Sequence, residues 1–242
     1  MKTTFSPAKV LTAVTALVLA GSLVGCDAAA DALGVIESAQ GSATDGPAPL
    51  DPAAASDAAD ALVQLEGIPV KGRAPKTGYT RDEFGPAWAD VDRNGCDIRN
   101  DILARDMANE TFKTGTNDCV VITGTLTDKY AGTTITFARG QDTSSDVQID
   151  HIVPLSDAWQ KGAQQLSSDQ RKELANDPLN LMAADGPTNS AKGDNDAATW
   201  LPPNNAFRCE YIARQTAVKA KYRLWVTQAE HDAIISILEG CK

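Results

Sequence analysis

Asp150 and His151 stand side by side at the end of an apolar, strand-like run that continues through Ile152 and Val153 to Pro154. Two asparagines follow, Asn180 in DPLNLMAADG and Asn189 in GPTNSAKGD. Phosphodiesters resist hydrolysis because the attacking water must lose a proton while negative charge builds on the phosphate and the leaving oxygen. One imidazole and one divalent cation can meet both demands. With an ordinary pKa of about 6.5, histidine is mostly neutral at pH 7 and able to accept that proton. A Mg2+-like cation prefers oxygen donors and keeps several waters, so one carboxylate and one amide oxygen suffice. His151 is therefore the candidate base, and Asp150 and Asn189 are the candidate ligands of Mg2+ or of another divalent cation such as Mn2+. Asn180 completes the catalytic set in a supporting role, as an amide able to bond the backbone around the histidine.

These residues need a scaffold that brings them together, and an ideal strand is a poor one, since neighbouring side chains point to opposite faces. The strand must end or bend near His151, and Pro154 favours such a break. Hydrophobic spacing predicts a helix over 97–107, followed by β-branched runs at Cys119–Leu126 and Thr133–Ala138 that read as a hairpin. A strand is expected over Val147–Val153, with helices over Ser156–Gln165 and from Ser167 or Ser168 to Asn176. A second strand over Leu179–Ala184 leads to helices over Thr188–Trp200, Asn205–Trp225 and Thr227–Leu238, the last opened by a Thr227/Glu230 capping box. The fold class is α+β.

The ends of the chain set its context. Lys2 and Lys9 precede an apolar run, Val10–Ala20, which is too short for a comfortable membrane span and reads as an export signal. It closes on Leu23, Val24, Gly25 and Cys26, a lipobox-like sequence whose cysteine would carry the lipid, so residues 1–26 are read as a lipoprotein signal. Residues 27–66, rich in Ala, Asp, Gly, Ser and Pro, are expected to be a disordered acidic tether. The folded domain is then 67–242. The chain has a formal charge of −10, but residues 1–66 hold two lysines and eight acids, so the domain retains only −4. Bulk acidity therefore says little about its substrate. Beyond Cys26, Cys96, Cys119, Cys209 and Cys241 form an even set in an exported chain, which points to disulfides. Of three possible pairings, Cys96 with Cys119 and Cys209 with Cys241 is favoured, since each would staple one end of the domain. A zinc site is the weaker alternative, because no CxxC pair exists.

Other groups have competing readings. Asp90, Asp92, Asn94, Gly95 and Asp101 match the oxygen spacing of a Ca2+ loop, although the twelfth residue is Asp and not Glu; the plainer account is a polar turn capping the next helix. Arg208, Arg214, Lys219, Lys221 and Arg223, with Tyr211, Tyr222 and Trp225 among them, could track a phosphate backbone or form the solvated face of a helix. Lys192, Arg139 and Arg208 are candidate substrate-binding cations. His231 has no partner motif and reads as a surface residue.

The segments GCDIRNDILARD, GTTITFARG, DHIVPLSDAWQKGA and NDPLNLMAADGPTNSAKGD, continued by ATWLPP, FRCEYIARQ and KAKYRLWVT, resemble the HNH, or ββα-metal, endonucleases. Within that family the chain is similar to the secreted bacterial branch related to the GmrSD C-terminal nuclease domain. The resemblance covers nearly the whole chain after Gly78. It implies a ββα-metal (HNH, His-Me finger) core with surrounding helices and an extra β-hairpin. It also implies that Asp150 and Asn189 bind the metal, that His151 activates water, and that Asn180 positions the histidine loop. Asn189 stands where the family often has a second histidine, a change that suits Mg2+ better than Zn2+. The expected protein is a monomeric, exported endonuclease, secreted or lipid-anchored on the outer face of a bacterial membrane, acting on nucleic acid with DNA ahead of RNA. The alternative is a non-catalytic Ca2+-binding or adhesive envelope lipoprotein that keeps the fold.

Overall fold

Helix α1 (Ala58–Glu66) is the first element of the computed structural model, which describes residues 58–241. The export signal with Cys26 and residues 27–57 of the expected tether lie outside them. Residues 58–66 do not behave as tether: Ala61 and Leu65 are buried against Ile212, Ile234 and Leu238. Ala58, Ala61, Leu62 and Leu65 have i, i+3, i+4, i+7 spacing, the stripe of an amphipathic helix, which an average over an alanine-rich segment conceals.

Helix α2 (Ile98–Asp106) begins where Asp97 accepts a hydrogen bond from the Asn100 amide, and it buries Ile98, Ile102 and Leu103. Three antiparallel strands follow in the order β1 (Met107–Phe112), β2 (Val121–Thr127), β3 (Thr134–Ala138). The expected hairpin is the β2–β3 pair. Strand β1 was not legible, because MANETF lacks a β-branched run, and its pairing with β2 is broken by register shifts around Asn109, which has φ +54°.

A second, two-stranded antiparallel sheet joins β4 (Val147–His151) to β5 (Leu181–Asp185), with Asp150 opposite Met182 and His151 opposite Leu181. Between these strands run α3 (Leu155–Gln160), a 3-10 turn at Ala163–Gln165, and α4 (Ser168–Asn176), opened by a Ser167/Gln170 capping box. Helix α5 (Gly186–Lys192) follows β5 directly, so two antiparallel strands and a helix carry Asp150, His151 and Asn189, with Asn180 in the turn immediately before β5. Gly186 is required at that junction, since a Cβ there would lie 2.2 Å from the Ser145 carbonyl oxygen.

The expected helix over Thr188–Trp200 is shorter than its composition suggests. Gly193 adopts φ +56° and ends it after Lys192. Helix α6 (Arg208–Lys221) and α7 (Gln228–Leu238) complete the domain, with left-handed Arg223 (φ +53°) stopping α6 short of the expected Trp225. Thr227 caps α7 as expected, but the Glu230 side chain is buried on Lys161 and Lys219.

Three apolar clusters hold these elements. One joins α1, α6 and α7 to Tyr130, Ile152 and Met182; a second packs α3 and α4 with Tyr222 and Leu224; the third seats α2 between the two sheets. Disulfides join Cys96 to Cys119 and Cys209 to Cys241, the favoured pairing. The second ties the start of α6 to Cys241, past the end of α7, across a separation of 32. Replacing Cys209 and Cys241 by serine should lower unfolding free energy by about 3–4 kcal/mol, mainly by freeing the unfolded chain; urea melts of the double variant against the parent would measure it.

Candidate active site

His151 is the last residue of β4 and is 7% exposed. Its Nε2 lies 2.9 Å from the carbonyl oxygen of Ala175, in α4. A carbonyl can only accept, so this contact sets the tautomer: Nε2 carries the hydrogen and Nδ1 keeps the lone pair. Burial lowers the pKa to about 4, outweighing the Ala175 carbonyl and the Asp150 charge, which pull upward. The imidazole is therefore neutral and able to accept a proton across the physiological range.

Asp150 projects to a different set of partners, as strand alternation requires. Its Oδ2 accepts from the Tyr130 hydroxyl at 2.5 Å and pairs with Lys192 Nζ at 2.9 Å, while Oδ1 has no hydrogen-bond partner among the described residues. Burial and the Asp150 charge push the Tyr130 phenol well above its ordinary range, which keeps it a donor. Asn189, on α5, donates from Nδ2 to Gln148 Oε1 at 2.8 Å, and its Oδ1 is likewise unengaged among the described residues. Although Asp150 and His151 face different neighbours, the strand ends at this point. Both border one open cleft of about 240 Å³, together with Asn189, Ser156, Asp194, Tyr79 and Arg81.

Asn180 is fully buried beneath that cleft. Its backbone carbonyl accepts from Ile152 N at 2.7 Å, its Oδ1 accepts from Val153 N at 2.8 Å, and its Nδ2 donates to Leu174 O at 3.2 Å. It thus joins the segment leaving His151 to the residue preceding Ala175, the anchor of the imidazole. Asn180→Ala should cost about 1–3 kcal/mol, because Val153 N and Leu174 O lose their buried partner. Thermal melting of that variant is the check.

The cations take other positions than those expected. Lys192 is fully buried and donates to His151 O at 2.8 Å besides pairing with Asp150, so it braces the β4 end from below. Arg139 is held by Val121 O and Asn100 Oδ1, and Arg208 donates to Pro202 O. Among the described residues, the cationic side chain that lines the cleft is the exposed Arg81.

The basic stretch of α6 is not a stripe. Arg214, 1% exposed, donates to Leu179 O and Leu181 O; Lys221 pairs with Asp177 at 2.7 Å; and Lys219 is wholly buried. Lys219 belongs to an internal ion network. Lys161 lies within 2.6–2.8 Å of Asp157, Asp196 and Glu230, while Lys219 contacts Asp157 and Glu230 and Arg73 contacts Asp157 and Asp196. His231 lies on α7 beside Asp232.

The Asp90–Asp101 turn closes on itself: Asn94 bridges Asp92 and Asp101, and Gly95 N donates to Asp90. Among the described residues no group of three His, Cys, Asp or Glu side chains is placed to hold a metal ion, so neither this turn nor a zinc site is supported. The cleft offers something different, one carboxylate oxygen and one amide oxygen without other partners. That donor set fits a hard cation retaining most of its waters.

Sequence reasoning missed Tyr130 and Arg81. Tyr130 gave one faint signal, an aromatic residue inside a DKYAG turn; Arg81, in YTRDEFG, lies in the aperiodic stretch between α1 and α2 and gave none.

Residues 97–237 match the family described as GmrSD restriction endonucleases, C-terminal domain, a span that includes Asp150, His151, Asn180 and Asn189. An uncharacterized secreted protein of Arthroderma benhamiae is 38% identical over 201 residues, covering 82% of this chain and 93% of the relative. No solved structure matches the chain. No helix among the described residues is long and apolar enough to cross a membrane. With a family match over more than half its length and a relative aligned along most of both chains, the chain belongs to the family of the GmrSD restriction endonuclease C-terminal domain.

Proposed function

We propose that this protein is an extracytoplasmic, metal-dependent endonuclease that hydrolyses phosphodiester bonds of nucleic acid, with DNA the first substrate to test. One observation carries the reading: a neutral imidazole, fixed through Nε2 and open at Nδ1, borders the same cleft as two oxygen donors, Asp150 Oδ1 and Asn189 Oδ1, that no other described group engages. Family membership supports a nuclease-like domain, and the β4–β5–α5 arrangement is compatible with a ββα-metal core.

In this mechanism His151 Nδ1 takes the proton of the attacking water, and the Ala175 carbonyl steadies the imidazolium that results. Asp150 and Asn189 would hold Mg2+ or Mn2+, which when bound would offset the negative charge developing on the phosphate and leaving oxygen. Tyr130 and Lys192 fix Oδ2 of Asp150, so that Oδ1 is presented with no rotamer search. Asn180 keeps the β4 end and the Ala175 carbonyl in register. Export through residues 1–26, with a lipid on Cys26, would place the reaction outside the cytoplasm; a secreted relative agrees with export.

The full-length protein should nick supercoiled plasmid in Mg2+ and stop when the cation is chelated. Asp150→Ala should lower cleavage at limiting Mg2+ and shift the Mg2+ midpoint upward. Nicking that persists in excess chelator would refute the proposal.

A further inference from the structure

The cleft has a neighbour of opposite character. A second, shallow cavity of about 90 Å³ shares Arg81, His151 and Leu155 with it, and its remaining wall includes Asp82, Phe84, Pro86, Ala87 and Trp88. The first cleft carries Asp150, Asp194 and the Asn189 amide, whereas the second, Asp82 and Asn176 aside, is walled beyond the shared residues by apolar and aromatic groups.

Its wall is held in place at some cost. Trp88 adopts φ +58°, a conformation rare for a bulky residue, and the next amide, Ala89 N, is bound 3.0 Å from Asn176 Oδ1. Asn176, 1% exposed and itself part of the wall, is anchored in turn to Lys172 O at 2.8 Å. Arg81 stands at the boundary between the two cavities, exposed, with no hydrogen bond or ion pair among the described residues.

A nucleic-acid chain held with its reacting phosphate beside His151 has a flat, weakly polar base one sugar away on either side. An apolar cavity with an indole, opening beside a free guanidinium, suits that pairing: Arg81 takes a phosphate oxygen and the cavity takes the adjoining base. We propose that the Phe84–Trp88 cavity is a nucleobase subsite, so that the protein selects sites where the nucleotide next to the reacting phosphate is unpaired. A base stacked in a duplex cannot enter without being extruded, which makes single strands, loops and frayed ends the preferred substrates. This rests on the nuclease reading for its substrate class. The subsite lies outside the 97–237 family match except at His151, Leu155 and the α4 end, so it is a property of the preceding segment of this chain.

The test is binding without catalysis. Full-length protein in excess chelator is titrated, by fluorescence anisotropy, into short single-stranded oligonucleotides that are either intact or wholly abasic. The intact strand should bind at least about tenfold more tightly. Ala87→Trp, which fills the cavity from an exposed position, should remove that advantage and leave the abasic strand unaffected. Equal affinity for the two strands, or an equal loss on both in Ala87→Trp, would overturn the subsite. Base-selective binding by a protein that cuts no nucleic acid with any divalent cation would refute the nuclease reading and leave the subsite standing. Cleavage without base selectivity would do the reverse.

Discussion

His151→Ala should reduce Mg2+-dependent cleavage by about 10²- to 10⁴-fold, the usual contribution of a positioned general base. The loss should fall on kcat and not on binding, because the imidazole is fixed by Ala175 and is not aligned by substrate. Its pH dependence separates this role from a structural one. Burial holds the native imidazole at about 4, so the acid limb of the cleavage profile should lie near there, well below the value of an ordinary histidine. The same shift has a stability consequence of definite sign. The unfolded histidine binds a proton below about 6.5, whereas the native one resists until about 4. Stability is therefore full above the unfolded value and falls as pH drops through that window, by roughly 3 kcal/mol at most. His151→Ala should flatten this slope in urea melts at pH 4 to 7. A profile whose acid limb sits at the ordinary histidine value, or a variant that still cuts well, would remove His151 from the mechanism.

Lys161→Met should be the most destabilising single substitution, by about 3–5 kcal/mol. The wild-type network balances Lys161, Lys219 and Arg73 against Asp157, Asp196 and Glu230, all but Arg73 nearly inaccessible to water. Removing the ammonium at its centre leaves three buried carboxylates facing two cations. For Asp196, burial alone would raise the pKa, but Lys161, Thr199 and Arg73 overcome it and hold the group at about 2. That depressed value stabilises the fold above the unfolded carboxyl pKa and is lost as pH falls towards 2. The urea midpoint of Lys161→Met should drop sharply, and adding Glu230→Gln should restore part of it by removing one unpaired charge. A midpoint unchanged by Lys161→Met would mean that the network contributes no net stability. The network joins the segment before the first sheet to α3, α6 and α7, so cleavage should decline with stability in this variant and not ahead of it.

Much of this protein was readable from the order of its residues. Local propensity and capping marked α2, β3, β4, α4 and α7 to within a residue or two, because each depends on contacts a few positions apart. The strand–insertion–strand–helix unit around Asp150, His151, Asn180 and Asn189 was legible for the same reason, and the cysteines of a small exported domain pointed to the observed pairs. Composition misled where it averaged over pattern, hiding the buried stripe of α1, and where a single left-handed residue, Gly193 or Arg223, ended a helix its neighbours would have continued.

What the linear chain could not carry was the fate of its charges. Lys192, Lys219, Arg214 and Glu230 look like solvent-facing ions in a list of residues, yet each is buried and committed to at least one partner distant in the chain, Asp150, Asp157, Leu179 and Lys161 respectively. Nor could it show that Asp150 and His151, pointing to different neighbours, border one cleft because the strand stops there, or that Arg81 completes the rim. Periodicity records how a residue relates to its near neighbours in the chain; burial of a charge, the tautomer of an imidazole and the lining of a cleft depend on which distant segments meet. The donor types and their spacing were written in the sequence, and the packing of α4, α5 and the Arg81 segment around the end of β4 gave them their geometry.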